Sequence, residues 1–310
     1  MKKTITILTP TFNEVDNVDE LYQRVSKVTK NNHKYNFEHF FIDNASTDGT
    51  IDKIKQIAKK DKKVKVILNV RNFGVNASVM HALKQVQSDA CIHIASDLQD
   101  PPEVIPNLIK KWEEGFKTVV LVKSDSEESW LMFLLRKMYY RFLSIISETP
   151  PIENSTGNGL VDQEVIKILK TIEDPLPFLR GYLVEIGFPI GKVLFKQSKR
   201  KQGDTSLGFY GLYDTALVGI TNHSKVPIRL LSVLGFILSI LSFILGVSYL
   251  VLKLLNWDSF SVGLAPLLIG LFFFGSIQMV FLGLIGEYIA AIHTRVRKKP
   301  LVIESERINV

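Results

Sequence analysis

Two stretches near the C-terminal end constrain this chain most, because they carry almost no charge. Ile228–Val251 reads IRLLSVLGFILSILSFILGVSYLV, with no charge after Arg229 until Lys253, and Val262–Ile285 reads VGLAPLLIGLFFFGSIQMVFLGLI, with none until Glu287. Each exceeds the ~20 residues a helix needs to cross a ~30 Å hydrocarbon core. Both contain Gly and Ser, which membrane helices tolerate and use for close packing. A pair of buried core helices is the alternative, but such helices are usually shorter and less free of charge. The concentration of apolar residues here also explains a mean hydropathy of +0.15 in a chain with 22% charged residues.

The flanks suggest an orientation. Lys225 and Arg229 stand at the start of the first stretch; Arg295, Arg297, Lys298 and Lys299 follow the second. The connection holds only Lys253 and Asp258, with Trp257 and Phe260 suited to an interface. The positive-inside tendency then puts both ends of the hairpin in the cytoplasm. The opening MKKTITILTPTFNE has too short an apolar run for a signal peptide. The expectation is a cytoplasmic domain over 1–225, two membrane helices within 226–294 (about 228–252 and 262–286), and a basic cytoplasmic tail over 295–310. That is a multi-pass protein of the inner (plasma) membrane. The Gly-containing spans permit a homo-oligomer without requiring one.

At 310 residues the chain is long enough to bury a core outside these stretches, and its one cysteine, Cys91, excludes an internal disulfide. A net charge of +7 points to a phosphate-rich partner: nucleic acid, nucleotide or anionic lipid. The basic residues cluster at the membrane flanks rather than along one soluble face, which argues against nucleic acid.

Strand and helix signals alternate through the first 125 residues. Strand-like runs occur at Thr4–Leu8, Phe37–Ile42, Val64–Leu68, Ala90–Ala95 and Thr118–Val122; helical spacing occurs at Asn17–Lys30, Thr50–Lys60, Ala77–Val86 and Val104–Glu114. This order predicts an α/β fold with a mainly parallel sheet covered on both faces. Ligands of such sheets sit beyond the carboxyl ends of the strands. The loops at Pro10–Glu14, Asp43–Ser46, Asp97–Asp100 and Lys123–Ser124 are therefore expected to converge. They hold carboxylates and amides rather than a glycine-rich phosphate cradle. Asp97, Gln99 and Asp100 offer the hard oxygens that suit Mg²⁺ or Mn²⁺, with Asp97 the best candidate. Asp100-Pro101-Pro102 also reads as a capped helix start, with Asp100 as the cap.

Plainer readings hold elsewhere. His81, His93 and His223 make no metal set, and His93 and Cys91 fit a buried strand. Asp48-Gly49-Thr50 reads as a helix start, Phe73-Gly74 as a turn, and Pro106 as a first-turn or kink residue.

The segments TPTFNE, IDNASTDGT, RNFG, ASDLQDPPE, FLRGYLVEIGF and RKQGDTS, in that order ahead of two apolar stretches, resemble family 2 glycosyltransferases of the polyprenyl-phosphate branch. The resemblance covers nearly the whole chain. It implies a GT-A (nucleotide-diphospho-sugar transferase) fold, a nucleotide-sugar donor, Mg²⁺ or Mn²⁺, and inversion at the anomeric carbon. Carried over by position, Pro10, Phe12 and Glu14 would line the base and ribose, and Ile42, Asp43 and Asn44 would hold the base. Ala95 and Ser96 would touch the sugar nucleotide, while Asp97 and Gln99 would bind the metal. Lys123 stands where the family often has a phosphate-contacting Arg; Arg200 and Ser206 fall in the loop that closes over the diphosphate. Three departures are present: Asp43-Asn44-Ala45, with Ala where Gly is usual; Ala95-Ser96-Asp97, which has lost the first carboxylate of an Asp-x-Asp; and Gly157-Asn158-Gly159-Leu160, where the family has Gly-Asp-Phe-Arg.

An alcohol acceptor needs a general base, whereas a phosphate monoester, with a second pKa near ~6, is already largely ionised at neutral pH. A lipid phosphate would tolerate the loss of an Asp at Asn158. Cations to hold that phosphate are available at Arg136 and Arg141, in an interfacial-looking helix over 129–147, and at Arg180. A bland alternative for Arg180 is a salt bridge to Glu185 or Asp174. A second interfacial element is expected over 207–221. The expected activity is inverting transfer of a sugar, most plausibly from a UDP-sugar, to polyprenyl (undecaprenyl) phosphate at the cytoplasmic leaflet. The rivals are a hydroxyl acceptor and a non-catalytic membrane scaffold.

Overall fold

The computed structural model describes residues 2–124, 152, 154–197, 226–255, 264–296 and 299–310. The expected interfacial helices over 129–147 and 207–221, and with them Arg136, Arg141, Arg200 and Ser206, lie outside the described residues. The described residues fall into two compact units.

The first unit is built on an eight-stranded sheet. Its strands are β1 (Thr4–Thr11), β2 (Asn36–Asp43), β3 (Val64–Asn69), β4 (Ala90–His93), β5 (Thr118–Lys123), β6 (Ser155–Asp162), β7 (Ile190–Phe195) and β8 (Glu304–Ile308), in the order β7-β5-β6-β4-β1-β2-β3-β8. β1 pairs in parallel with β2 and β4, β2 with β3, and β5 with β7. β6 runs antiparallel between β4 and β5, and β8 runs antiparallel on β3. The helices are α1 (Val18–Lys30), α2 (Thr50–Lys60), α3 (Val75–Gln85), α4 (Ile105–Glu113), α5 (Gln163–Thr171) and α6 (Leu179–Glu185).

Successive strand side chains point to opposite faces, and both faces are covered, so the central strands can be apolar throughout. Phe41 joins Ile5, Ile7, Leu21 and Ile54 on one side, while Phe40 and Ile42 join Leu8, Met80 and Val165 on the other. The strands and helices expected through residue 122 are all present. Asp48 starts α2 as read: its Oδ1 accepts the Thr50 backbone N–H at 3.0 Å and the Thr50 hydroxyl at 2.6 Å. Cys91 and His93 lie in β4. Burial raises the Cys91 thiol well above its usual range and lowers His93 to about 4.

Three strands, β6, β7 and β8, were not foreseen. β6 begins STGNG, a turn-like sequence, yet it fits because a Cβ at Gly159 would lie 2.0 Å from the Val119 carbonyl oxygen. Glycine alone allows β5 to approach that closely. β8 lies within the basic tail expected over 295–310 and pairs antiparallel with β3. Val302 is buried, Asn309 Nδ2 donates to the carbonyls of Ala58 (2.9 Å) and Val64 (2.8 Å), and His81 Nε2 lies 2.5 Å from Glu304 Oε1.

The second unit contains α7 (Val226–Leu255) and α8 (Leu264–Val296). Their side chains are bare on many sides: Phe236 is 69% exposed, Phe243 72% and Met279 71%. Two spans were expected. Among the described residues one helix is long and apolar enough to cross a membrane, through Phe273–Ala290 of α8, with mean hydropathy 1.5. The corresponding apolar run of α7, Ser232–Leu245, is shorter.

Candidate active site

Several loops at the carboxyl ends of the strands are strained. Among the described residues, five non-glycine residues have positive φ, and four are Asn13 after β1 (55°), Ala45 after β2 (62°), Leu98 after β4 (58°) and Asn154 before β6 (56°). Such conformations cost about 1–2 kcal/mol each for an ordinary residue and cluster at functional sites. Ala45 occupies a left-handed position, which glycine would adopt without the strain of a side chain.

Asp43 and Asn44 build the walls of this region. Asp43 is fully buried; its carboxylate accepts the Ser46 N–H (2.8 Å), the Ser46 hydroxyl (2.6 Å) and the Thr11 hydroxyl (2.9 Å). Asn44 Oδ1 accepts from Ser78 Oγ (2.6 Å), Asn69 Nδ2 (2.8 Å) and the Phe73 N–H (3.3 Å), which fixes the RNFG loop. Ile42 lies wholly in the core, so its side chain does not reach a ligand and only its backbone faces the loop. Pro10 is buried in β1, whereas Phe12 is 44% exposed. Glu14 Oε2 accepts from Asn17 Nδ2 at 2.6 Å.

A cavity of about 400 Å³ opens beside β4, β5 and β6. Ala95, Asp97, Gln99, Lys123 and Arg180 line it, all of them anticipated. Ser96 is buried and does not. Asp97 Oδ1 accepts the Gln99 backbone N–H at 3.1 Å, and Gln99 Oε1 accepts Gln197 Nε2 at 3.3 Å. Gln197, beyond β7, carried no signal in the sequence. Arg180 donates from Nη2 to the Thr156 carbonyl (2.7 Å) and packs over Gly157, where a Cβ would meet its guanidinium at 3.0 Å. The suggested salt bridge to Asp174 is replaced: that carboxylate takes the Tyr182 hydroxyl.

Asp100 overturns its reading as a helix cap. Pro101 precedes a 3₁₀ turn, Pro102–Val104, which has no side-chain cap. A capping side chain bonds the N–H of the second or third residue of the turn that it directly precedes; here the extended Pro101 (ψ 132°) takes that preceding place, which sets Asp100 one residue too far back. Asp100 instead turns inward, 2% exposed, and its Oδ2 accepts from Asn158 Nδ2. Burial raises its pKa; the Asp97 charge adds to this, while the Asn158 bond opposes it.

The donor set suits a hard cation. Among the described residues no three His, Cys, Asp or Glu side chains come together to hold a metal unaided. Mg²⁺ and Mn²⁺ sites commonly take one or two carboxylates and complete their shell with substrate phosphates and water. Asp97 and Gln99 fit that pattern.

The family model for Glycosyl transferase family 2 matches residues 6–162, half of the chain. The chain belongs to glycosyl transferase family 2. It is a glycosyltransferase, built on a mostly parallel α/β sheet. It is 32% identical over 301 residues to a prophage bactoprenol glucosyl transferase homolog of Escherichia coli K12, covering 96% of this chain and 97% of that one. It is 31% identical over 306 residues to the bactoprenol glucosyl transferase of Shigella phage SfV, covering 98% and 99%. Among solved structures, glucosyl-3-phosphoglycerate synthase from Mycobacterium tuberculosis, with Mn²⁺ and UDP-glucose, superposes with a TM-score of 0.48 at 19% identity, covering 71% of this chain and 78% of that one.

Proposed function

We propose that this glycosyltransferase moves a sugar from a UDP-sugar onto a polyprenyl phosphate at the cytoplasmic face of a membrane. The observation that carries this reading is the composition of one cavity: the hard oxygens of Asp97 and Gln99 beside the cations of Lys123 and Arg180. Two anionic reactants must meet there, and two side-chain cations offset their repulsion. The names of the bactoprenol relatives support the acceptor class.

A divalent ion held by Asp97 and Gln99 would neutralise charge on the departing diphosphate. Lys123 contacts the donor phosphates, and Arg180 holds the acceptor phosphate. Arg200 and Ser206 are proposed for the closing loop, Arg136 and Arg141 for the lipid phosphate, and Phe12, with the backbone of 10–14 and 42–44, for the base. One acceptor oxygen forms a bond to the anomeric carbon from the face opposite the donor oxygen. The carbon–oxygen bond to the diphosphate breaks, and its electron pair leaves with the nucleotide, so configuration inverts. No proton need be abstracted from an ionised phosphate.

A hairpin of α7 and α8 is the proposed anchor. The strands before α7 and the strand after α8 belong to one sheet. A chain that leaves a domain for the bilayer and returns to it crosses an even number of times, so two spans are consistent where one is not. Exposed apolar side chains on many sides of both helices also suit lipid better than water. The test is incubation of the full-length protein, in membranes, with radiolabelled UDP-glucose and undecaprenyl phosphate. Label in an acid-labile, organic-soluble product supports the reading; label in no lipid with any sugar nucleotide rejects it.

A further inference from the structure

Resting on the reading above, we propose that Asp100, held in place by Asn158, forms the subsite for the transferred sugar and accepts a hydrogen bond from one of its hydroxyls. Asp100 lines the cavity at 2% exposure. One carboxylate oxygen is occupied by the Asn158 amide. The other, Oδ1, is buried and has no hydrogen-bond partner among the described residues. A buried carboxylate oxygen without a donor destabilises the fold, and such a group beside a cavity marks a place where a ligand supplies the missing donor.

The chemistry of that donor follows from the neighbours. Lys123 and Arg180 attract the phosphates, and a phosphate oxygen set against the Asp100 carboxylate would be repelled. Asn154, Ser155, Thr156 and Asn158 line the remaining wall with neutral amides and hydroxyls. A polyhydroxylated neutral ring fits beside them, with a hydroxyl as donor and Asp100 as acceptor. Of the chain's own neighbours, Pro101 and Pro102 bear no N–H, and the Thr156 side chain, which favours the ionised form of Asp100, makes no hydrogen bond to Oδ1.

Asn158 also acquires a reason. An aspartate at this position would set two carboxylates face to face, and one would have to bind a proton. The amide donates instead, leaving Asp100 oriented as a pure acceptor. Asp100 is thus a specificity residue, and Asn158 a positioning residue.

The experiment measures kcat/KM of the full-length protein for UDP-glucose and for its 2-, 3-, 4- and 6-deoxy analogues, with Mn²⁺. The wild type is expected to lose about tenfold or more with one analogue. Asp100→Asn is expected to lower kcat/KM for UDP-glucose and to abolish that discrimination, while Mn²⁺-dependent UDP binding by calorimetry changes by no more than about twofold. Should Asp100→Asn not fold, Asn158→Ser, which frees the carboxylate, is expected to relax the same discrimination. Unchanged discrimination in either folded variant overturns the proposal. So does a loss of UDP binding that follows Mn²⁺, which would make Asp100 a metal ligand. A wild type that turns over no UDP-glucose counts against the donor reading above, not against the subsite alone.

Discussion

Gln197 donates its side-chain amide to Oε1 of Gln99 across 3.3 Å, tying the chain just beyond β7 to the loop that follows β4. The same Gln99 oxygen is the proposed ligand of a divalent ion, so its orientation is set from outside the ligand loop. Partners of this kind typically contribute 10- to 100-fold in metal affinity or activity. Gln197→Leu is therefore expected to raise the Mn²⁺ concentration needed for half-maximal turnover by about tenfold, with saturating metal restoring most of the rate. A metal titration of the two proteins checks this; identical curves would leave Gln197 without the assigned role.

Ala45 sits at φ 62°, where a side chain is strained and glycine is not. Ala45→Gly is expected to raise stability by about 1 kcal/mol. The gain is read as a higher Tm in detergent, at unchanged Mn²⁺-dependent UDP binding. A fall in Tm would contradict the strained conformation.

Removal of Glu304–Val310 is expected to destabilise the sheet domain, because the segment supplies an edge strand and the capping bonds of Asn309 to Ala58 and Val64. Each lost hydrogen bond contributes about 1 kcal/mol. Limited proteolysis and thermal unfolding of the truncated protein check it. An unchanged melt would contradict a stabilising role for the segment.

Burial lowers the pKa of His39 to about 3, so the folded protein keeps it neutral while the unfolded chain binds a proton near ~6.5. Between these values the unfolded state holds more protons, so stability rises with pH. The contribution is fully present above about pH 6.5 and is lost as pH falls through the folded pKa, by up to about 1.4 kcal/mol per pH unit. The unfolding free energy of wild type is expected to fall more steeply between pH 7 and 5 than that of His39→Phe. Parallel slopes would contradict it.

Much of the fold was legible because β1 to β5 and α1 to α4 bury their apolar residues at periods that a sequence displays. Leu8, Phe40, Phe41 and Ile42 fill both faces of a covered sheet. β6 and β8 hide for different reasons. In β6 the glycines serve close strand approach, so the segment reads as a turn. In β8 the charges of Glu304, Glu306 and Arg307 guard an exposed sheet edge, so the segment reads as a tail. Asp97, Gln99, Lys123 and Arg180 were legible by type and position. Asp100 was misread because its sequence neighbours suggest a cap, while its actual partner, Asn158, is distant in the chain. Gln197 and the amide-rich start of β6 reach the cavity only through strand order, which no local pattern encodes.

The most direct test of the central claim compares wild type and Asp97→Ala in membranes supplied with radiolabelled UDP-glucose, undecaprenyl phosphate and Mn²⁺. The expected result is labelled polyprenyl phosphate sugar from the wild type, abolished by chelation and reduced at least about 100-fold by the substitution. Undiminished lipid labelling by Asp97→Ala would contradict it.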